Sequence, residues 1–139
     1  MSIERVIQAF EMMPNWQERY RLLIDMGRKL PPMPEEEKID ANLLDGCLSK
    51  VWMTAELDTD ANPPVLRLAA DSDSQIVRGL IALVFEVFNH RPPAEILEAD
   101  IESIFEQLEL EQHISPGRRN GLSSMVRRVR ELAHTEMAA

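Results

Sequence analysis

Three features predict a single α+β domain: amphipathic helical stripes at both ends of the chain, two strand-like runs within 50–69, and an Asp45-Gly46 pair just ahead of them. The expected architecture is a small antiparallel sheet of about three strands packed against helices, spanning residues 1–139 as one unit.

The first helix follows from Ile3, Val6, Ile7, Phe10 and Met13, which recur at helical spacing until Pro14 stops them. Asn15-Trp16-Gln17-Glu18 reads as a capping box opening a second helix, which carries Tyr20, Leu23 and Ile24 and ends near Gly27. Pro31, Pro32 and Pro34 make the next stretch an extended loop, because each ring fixes φ and removes a donor. Residues 50–58 and 65–69 are rich in strand formers. Ala41 to Leu44 supplies a short third strand before the Asp-Gly turn, a strong hairpin signal. Ser72-Asp73-Ser74-Gln75 reads as a second capping box, opening a helix that is apolar over most of its circumference and therefore central to the core. Pro92-Pro93 ends it, and short helices are expected at 94–98 and 101–109. Ser115-Pro116 starts the last helix, with Leu122, Met125, Val126, Val129 and Leu132 facing inward.

Composition narrows the function classes. The net charge of −9 argues against nucleic-acid binding, which needs a basic surface to neutralise phosphates. The charge is uneven: Arg118, Arg119, Arg127, Arg128 and Arg130 cluster late in the chain, while Glu35–Glu37 and Glu95–Glu111 are acidic. Such polarity is either a solvated helix face or a surface that orients a protein partner. The N-terminus has no basic region followed by an apolar one, so no secretory signal is expected. The longest apolar stretch, 79–88, contains Glu86 and is too short to span a bilayer, so no membrane association is expected. One cysteine excludes a disulfide framework and fits a cytoplasmic protein.

The motif search leaves one candidate. None of His90, His113 and His134 has a partner that makes a recognised metal site, the helix-spaced Glu109–His113 pair being too little alone; no glycine-rich phosphate cradle is present, and G-x-S-x-G is absent. Cys47 follows the Asp-Gly turn and is expected near its tip. It is either a small core residue or a reactive thiol. A reactive thiol normally has a cationic or basic neighbour; Lys50 is the local candidate, and His113 or Arg118 could serve in space. Asp45 opposes deprotonation.

Five segments now carry a resemblance: Asn15-Trp16-Gln17-Glu18-Arg19-Tyr20, Gly27-Arg28-Lys29-Leu30-Pro31, Gly46-Cys47-Leu48-Ser49-Lys50-Val51-Trp52, Asp71 through Leu80, and Gln112 through Leu122. In order and spacing they resemble the SufE/CsdE family of sulfur-acceptor proteins. The resemblance implies a SufE-type domain related in fold to the IscU scaffolds. It implies that Cys47 accepts persulfide sulfur from a PLP-dependent cysteine desulfurase of the SufS or CsdA type and stimulates that enzyme. The sulfur then passes to an Fe–S scaffold of the SufBCD type. No cofactor is expected on this chain, since the PLP belongs to the partner, and no small-molecule turnover is expected from it alone. The resemblance also places Gly46, Leu48, Ser49, Lys50, Trp52, Asp73, His113 and Arg118 in the thiol's surroundings or at the partner surface. For Asp73 the competing role is helix capping, for Arg118 an internal ion pair, for His113 packing or capping. Leu48, Trp52 and Met53 are candidates to shelter a persulfide, or plain core residues. Two other readings are a stand-alone thiol peroxidase or reductase, and a binding module with an inert Cys47.

Overall fold

Two strands, β1 (Val51–Asp58) and β2 (Val65–Ser72), pair antiparallel along their full length in the computed structural model, which describes residues 2–47 and 49–138. Alternation sets the faces: Val51 and Met53 from β1 and Leu66, Leu68 and Ala70 from β2 are buried against the helices. Trp52 and Asp71 stand opposite each other on the outer face.

The expected third strand is reduced to an isolated bridge between Leu43 and Trp52. Residues Asp40–Asn42 form a 3-10 turn instead, held by the Asn42 N–H on Ile39 O and the Asn42 Nδ2 on Glu37 O. Leu43 is left extended, and the Leu44 N–H donates to Val51 O at 2.9 Å. At the opposite edge, the side chain of Asn89 imitates a strand: its Oδ1 accepts from Leu68 N and its Nδ2 donates to Leu68 O. The next bonds, Leu66 N to Arg91 O and His90 N to Leu66 O, cover that edge further.

Among the described residues seven α-helices complete the fold: α1 (Ile3–Met12), α2 (Trp16–Arg28), α3 (Gln75–Phe88), α4 (Pro93–Glu98), α5 (Ile101–Gln107), α6 (Leu110–His113) and α7 (Pro116–Ala138). Asn15 caps α2 as expected, its Oδ1 accepting from Glu18 N. The second capping assignment is corrected. Strand β2 runs on to Ser72, whose Oγ accepts from Ser74 N, and Ser74 is the cap of α3. Asp71 is accommodated in the strand by ion pairs to Lys38 and Arg78, both at 3.1 Å. The helix expected over 101–109 forms as far as Gln107; Glu109, left-handed with φ 59°, then precedes a further short helix, α6, that was not expected.

Helix α3 is the centre of the core, with Leu80, Ile81, Leu83, Val84 and Phe88 fully enclosed. It crosses α2 at backbone contact. A Cβ on Gly79 would lie 2.3 Å from Leu23 O, and one on Gly27 would lie 2.6 Å from Gly79 N. Gly27 is thus a crossing residue and not a terminator, and α2 continues through it to Arg28. Among the described residues no helix is long and apolar enough to cross a membrane.

Candidate functional site

The thiol is positioned by a loop laid across α7. Ser115 caps that helix, its Oγ accepting from Arg118 N at 3.3 Å, with Pro116 at the first helical position. Gly121 and Ser124 then lie on one face of α7, within one turn of each other. The loop meets them with a glycine of its own. Gly46 has φ 81°, in the left-handed region, and a Cβ there would lie 3.1 Å from Ser124 Oγ. A Cβ on Gly121 would sit 3.5 Å from Cys47 Sγ. Small residues on both partners therefore let the loop rest against the helix, and the Cys47 thiol reaches to 4.0 Å from Gly121 O.

A clasp holds the far end of the loop. The Lys50 N–H donates to Asp73 Oδ1 at 3.1 Å, and the Asp73 N–H donates to Lys50 O at 3.4 Å. Asp73 is therefore not a helix cap; it ties the loop to the residue before the α3 cap. The near end is fixed by the Leu44–Val51 hydrogen bond. Cys47 thus belongs to a loop pinned at both ends, a wider connection than a tight two-residue hairpin.

Cys47 is half-buried and opens into a cleft of about 230 Å³. Val51, Val77 and Met125, all buried, line it with apolar surface. Ser49, Ser115, Gly117, Arg118 and Gly121 complete the wall. Burial pushes the thiol's pKa up, and the neighbouring Asp45 carboxylate pushes it further in the same direction. The resting thiol is therefore protonated at neutral pH, in a cleft whose lining combines the apolar Val51, Val77 and Met125 with Ser49, Ser115 and Arg118.

The structure brings Cys47, Ser49 and Arg118 into one cleft, with Gly46 seating the loop and Asp73 clasping it through Lys50. Among the described residues Arg118 has no carboxylate partner, so the internal ion pair expected as its competing role is not formed. Lys50 enters through its backbone; its side chain is exposed. Leu48 lies outside the described residues. Trp52 is turned to the outer sheet face, with Lys38 Nζ 5.8 Å from its ring centre, and Met53 is buried in the core. Neither lines the thiol cleft. His113 also lies apart from it: its ring stacks on Trp16 at 4.3 Å, and its carbonyl accepts from the Tyr20 hydroxyl. Sequence reasoning missed Val51, Val77, Ser115, Gly117, Gly121 and Met125 as cleft residues. The i, i+4, i+7 spacing of Gly117, Gly121 and Ser124 is a signal that could have found the loop's seat.

Fold and site define an α+β domain that presents a single thiol from a tethered loop against a helix. The chain belongs to the SufE family: residues 4–133 match its Fe-S metabolism associated domain. It is 38% identical over 138 residues to an uncharacterised SufE-like protein of Rhizobium meliloti (strain 1021), with 99% of each chain covered. An uncharacterised SufE-like protein of Rhizobium etli is also 38% identical, across 99% of this chain and 93% of that one. The solution structure of a hypothetical protein from Thermus thermophilus shares the fold, with a TM-score of 0.76 over 100% of both chains at 18% identity.

Proposed function

We propose that this chain relays sulfur: Cys47 accepts it from the persulfide of a PLP-dependent cysteine desulfurase and passes it to an Fe–S cluster scaffold. The observation that carries the reading is the half-buried Cys47 in an apolar-backed cleft of a SufE-family domain. The chemistry is exchange without net oxidation. The Cys47 thiolate attacks the outer sulfur of the donor's persulfide, a new S–S bond forms on Cys47, the donor's S–S bond breaks, and the donor cysteine leaves as a thiolate. The cofactor work is done on the donor, where PLP frees the sulfur from cysteine.

The raised thiol pKa fits a carrier better than a stand-alone thiol enzyme, which must be nucleophilic unaided. Activation then comes with docking. A partner that draws the 45–50 loop off α7 moves the thiol away from its apolar wall and from the Asp73 clasp, and the thiolate becomes accessible where the donor persulfide waits. Ser49, Ser115 and Arg118 offer hydrogen bonds and positive charge to the persulfide anion once it returns to the cleft.

Intact-mass spectrometry after incubation with the cognate desulfurase, PLP and cysteine tests this. The expected result is a gain of one sulfur atom, removed by reductant and absent in Cys47→Ser. An active, bound desulfurase that leaves the mass unchanged overturns the relay.

A further inference from the structure

A second cleft, of about 200 Å³, lies beside Asp45 and the loop strand that leads to it. Ala41, Leu43, Leu44 and Asp45 form its loop wall, and Ser124, Arg127, Arg128 and Glu131 its helix wall. Ser124 is the side chain nearest a Cβ built on Gly46, so this cleft and the thiol cleft flank one short piece of backbone.

The charges there are poorly used within the chain. Arg127 is exposed and has no ion pair among the described residues. Arg128 has one loose contact, to Glu131 at 3.8 Å, with 41% of its own side chain exposed. A surface pair of that kind holds its partners weakly. By contrast, Arg130 nearby on the same helix makes a two-pronged pair with Glu102 at 2.6 and 2.8 Å, and is already committed. Two available guanidiniums beside the reactive loop are conspicuous in a chain with a net charge of −9. Asp45 lines the same cleft from the loop side.

We propose that Arg127 and Arg128 anchor an acidic segment of the sulfur-donor protein, giving the donor a second point of attachment next to Cys47. The proposal rests on the relay reading and deepens it. A carboxylate seated on a guanidinium makes paired hydrogen bonds, and placing it here fixes the donor's register along α7 while its persulfide faces the loop.

The test is the Kd of the cognate cysteine desulfurase for Arg127→Glu/Arg128→Glu, with circular dichroism confirming the fold. The expected result is a rise of about tenfold or more at low salt that shrinks as NaCl is raised. The milder Arg127→Gln/Arg128→Gln should fall between that variant and wild type. Arg67→Glu/Arg91→Glu changes the net charge equally at exposed positions away from α7, and should leave Kd near wild type. An unchanged Kd in both arginine-pair variants, or equal weakening in the Arg67/Arg91 control, overturns the anchor. Sulfur loading of wild type, read by intact mass in parallel, separates the two ideas. Loading with an unchanged Kd in the variants removes the anchor alone, and no loading removes the relay and the anchor with it.

Discussion

Asp73 Oδ1 accepts the backbone N–H of Lys50 at 3.1 Å, and Lys50 O accepts the N–H of Asp73 in return. This reciprocal pair joins the end of the cysteine loop to the entry of the central helix. It is exposed to water, so it closes the loop without locking it.

Asp73→Ala removes one of the two bonds. A single hydrogen bond contributes about 1 kcal/mol, and a change of that size shifts an opening equilibrium about fivefold. The Cys47 thiol of Asp73→Ala should therefore be alkylated by iodoacetamide several times faster than in wild type at the same pH, with the urea midpoint only slightly lowered. Equal alkylation rates would mean that the seat on α7, and not the clasp, holds the loop.

The thiol's pH dependence follows from burial first and the Asp45 charge second, both of which favour the protonated form. The folded state keeps the proton to higher pH than the unfolded chain, whose thiol titrates near ~8.5. Cys47 therefore leaves stability untouched below that value, and stability falls as pH rises from there through the folded-state pKa. Urea unfolding of wild type and Cys47→Ser at pH 7 and pH 10 should show an extra loss in wild type at the higher pH. In Asp45→Asn the alkylation–pH profile should move to lower pH. A profile that stays in place would assign the whole effect to burial.

At the α2–α3 crossing, Gly79→Ala should destabilise by about 1–3 kcal/mol or more, because the new Cβ would lie 2.3 Å from Leu23 O and the helices would have to separate. Denaturant unfolding measures it. Leu23 belongs to the fully buried core, so the displacement cannot be absorbed by a flexible surface side chain. A neutral result would show that α2 can slide on α3 at little cost.

What the sequence disclosed divides along the range of the interactions. Asn15 and Ser115 were legible because a cap involves residues only a few positions apart. The helical stripe of α7 and the alternation of β1 were legible for the same reason. Ala41–Leu44 looked extended, but the side-chain bond from Asn42 to Glu37 O turned it into a 3-10 segment. Ser72 looked like a cap until pairing with Val51 drew it into β2. Cys47 stood out by elimination, whereas its cleft joins Val51, Val77 and Met125 from three separate elements, and no local pattern announces that meeting. His113 stood within a recognisable segment, yet its neighbours are Trp16 and Tyr20 at the other end of the chain, so segment membership did not predict its surroundings.

Gly121 sets stability against sulfur transfer. It lies inside α7, where glycine is about 1 kcal/mol less favourable than alanine, and a Cβ there makes only ordinary van der Waals contact with Cys47, at 3.5 Å to Sγ and 3.9 Å to Cβ. Gly121→Ala should therefore fold and unfold at a slightly higher temperature than wild type. The added methyl, however, takes up room next to Sγ, in the same cleft that the second sulfur of a persulfide must enter. Incubated with the desulfurase, PLP and cysteine, Gly121→Ala should bind the donor normally but accumulate less of the one-sulfur adduct by intact mass. Full loading in a stabilised Gly121→Ala would place the transferred sulfur outside the cleft, on a loop that stays open after transfer. A loss of stability would mean that the loop presses on α7 more tightly than these distances imply.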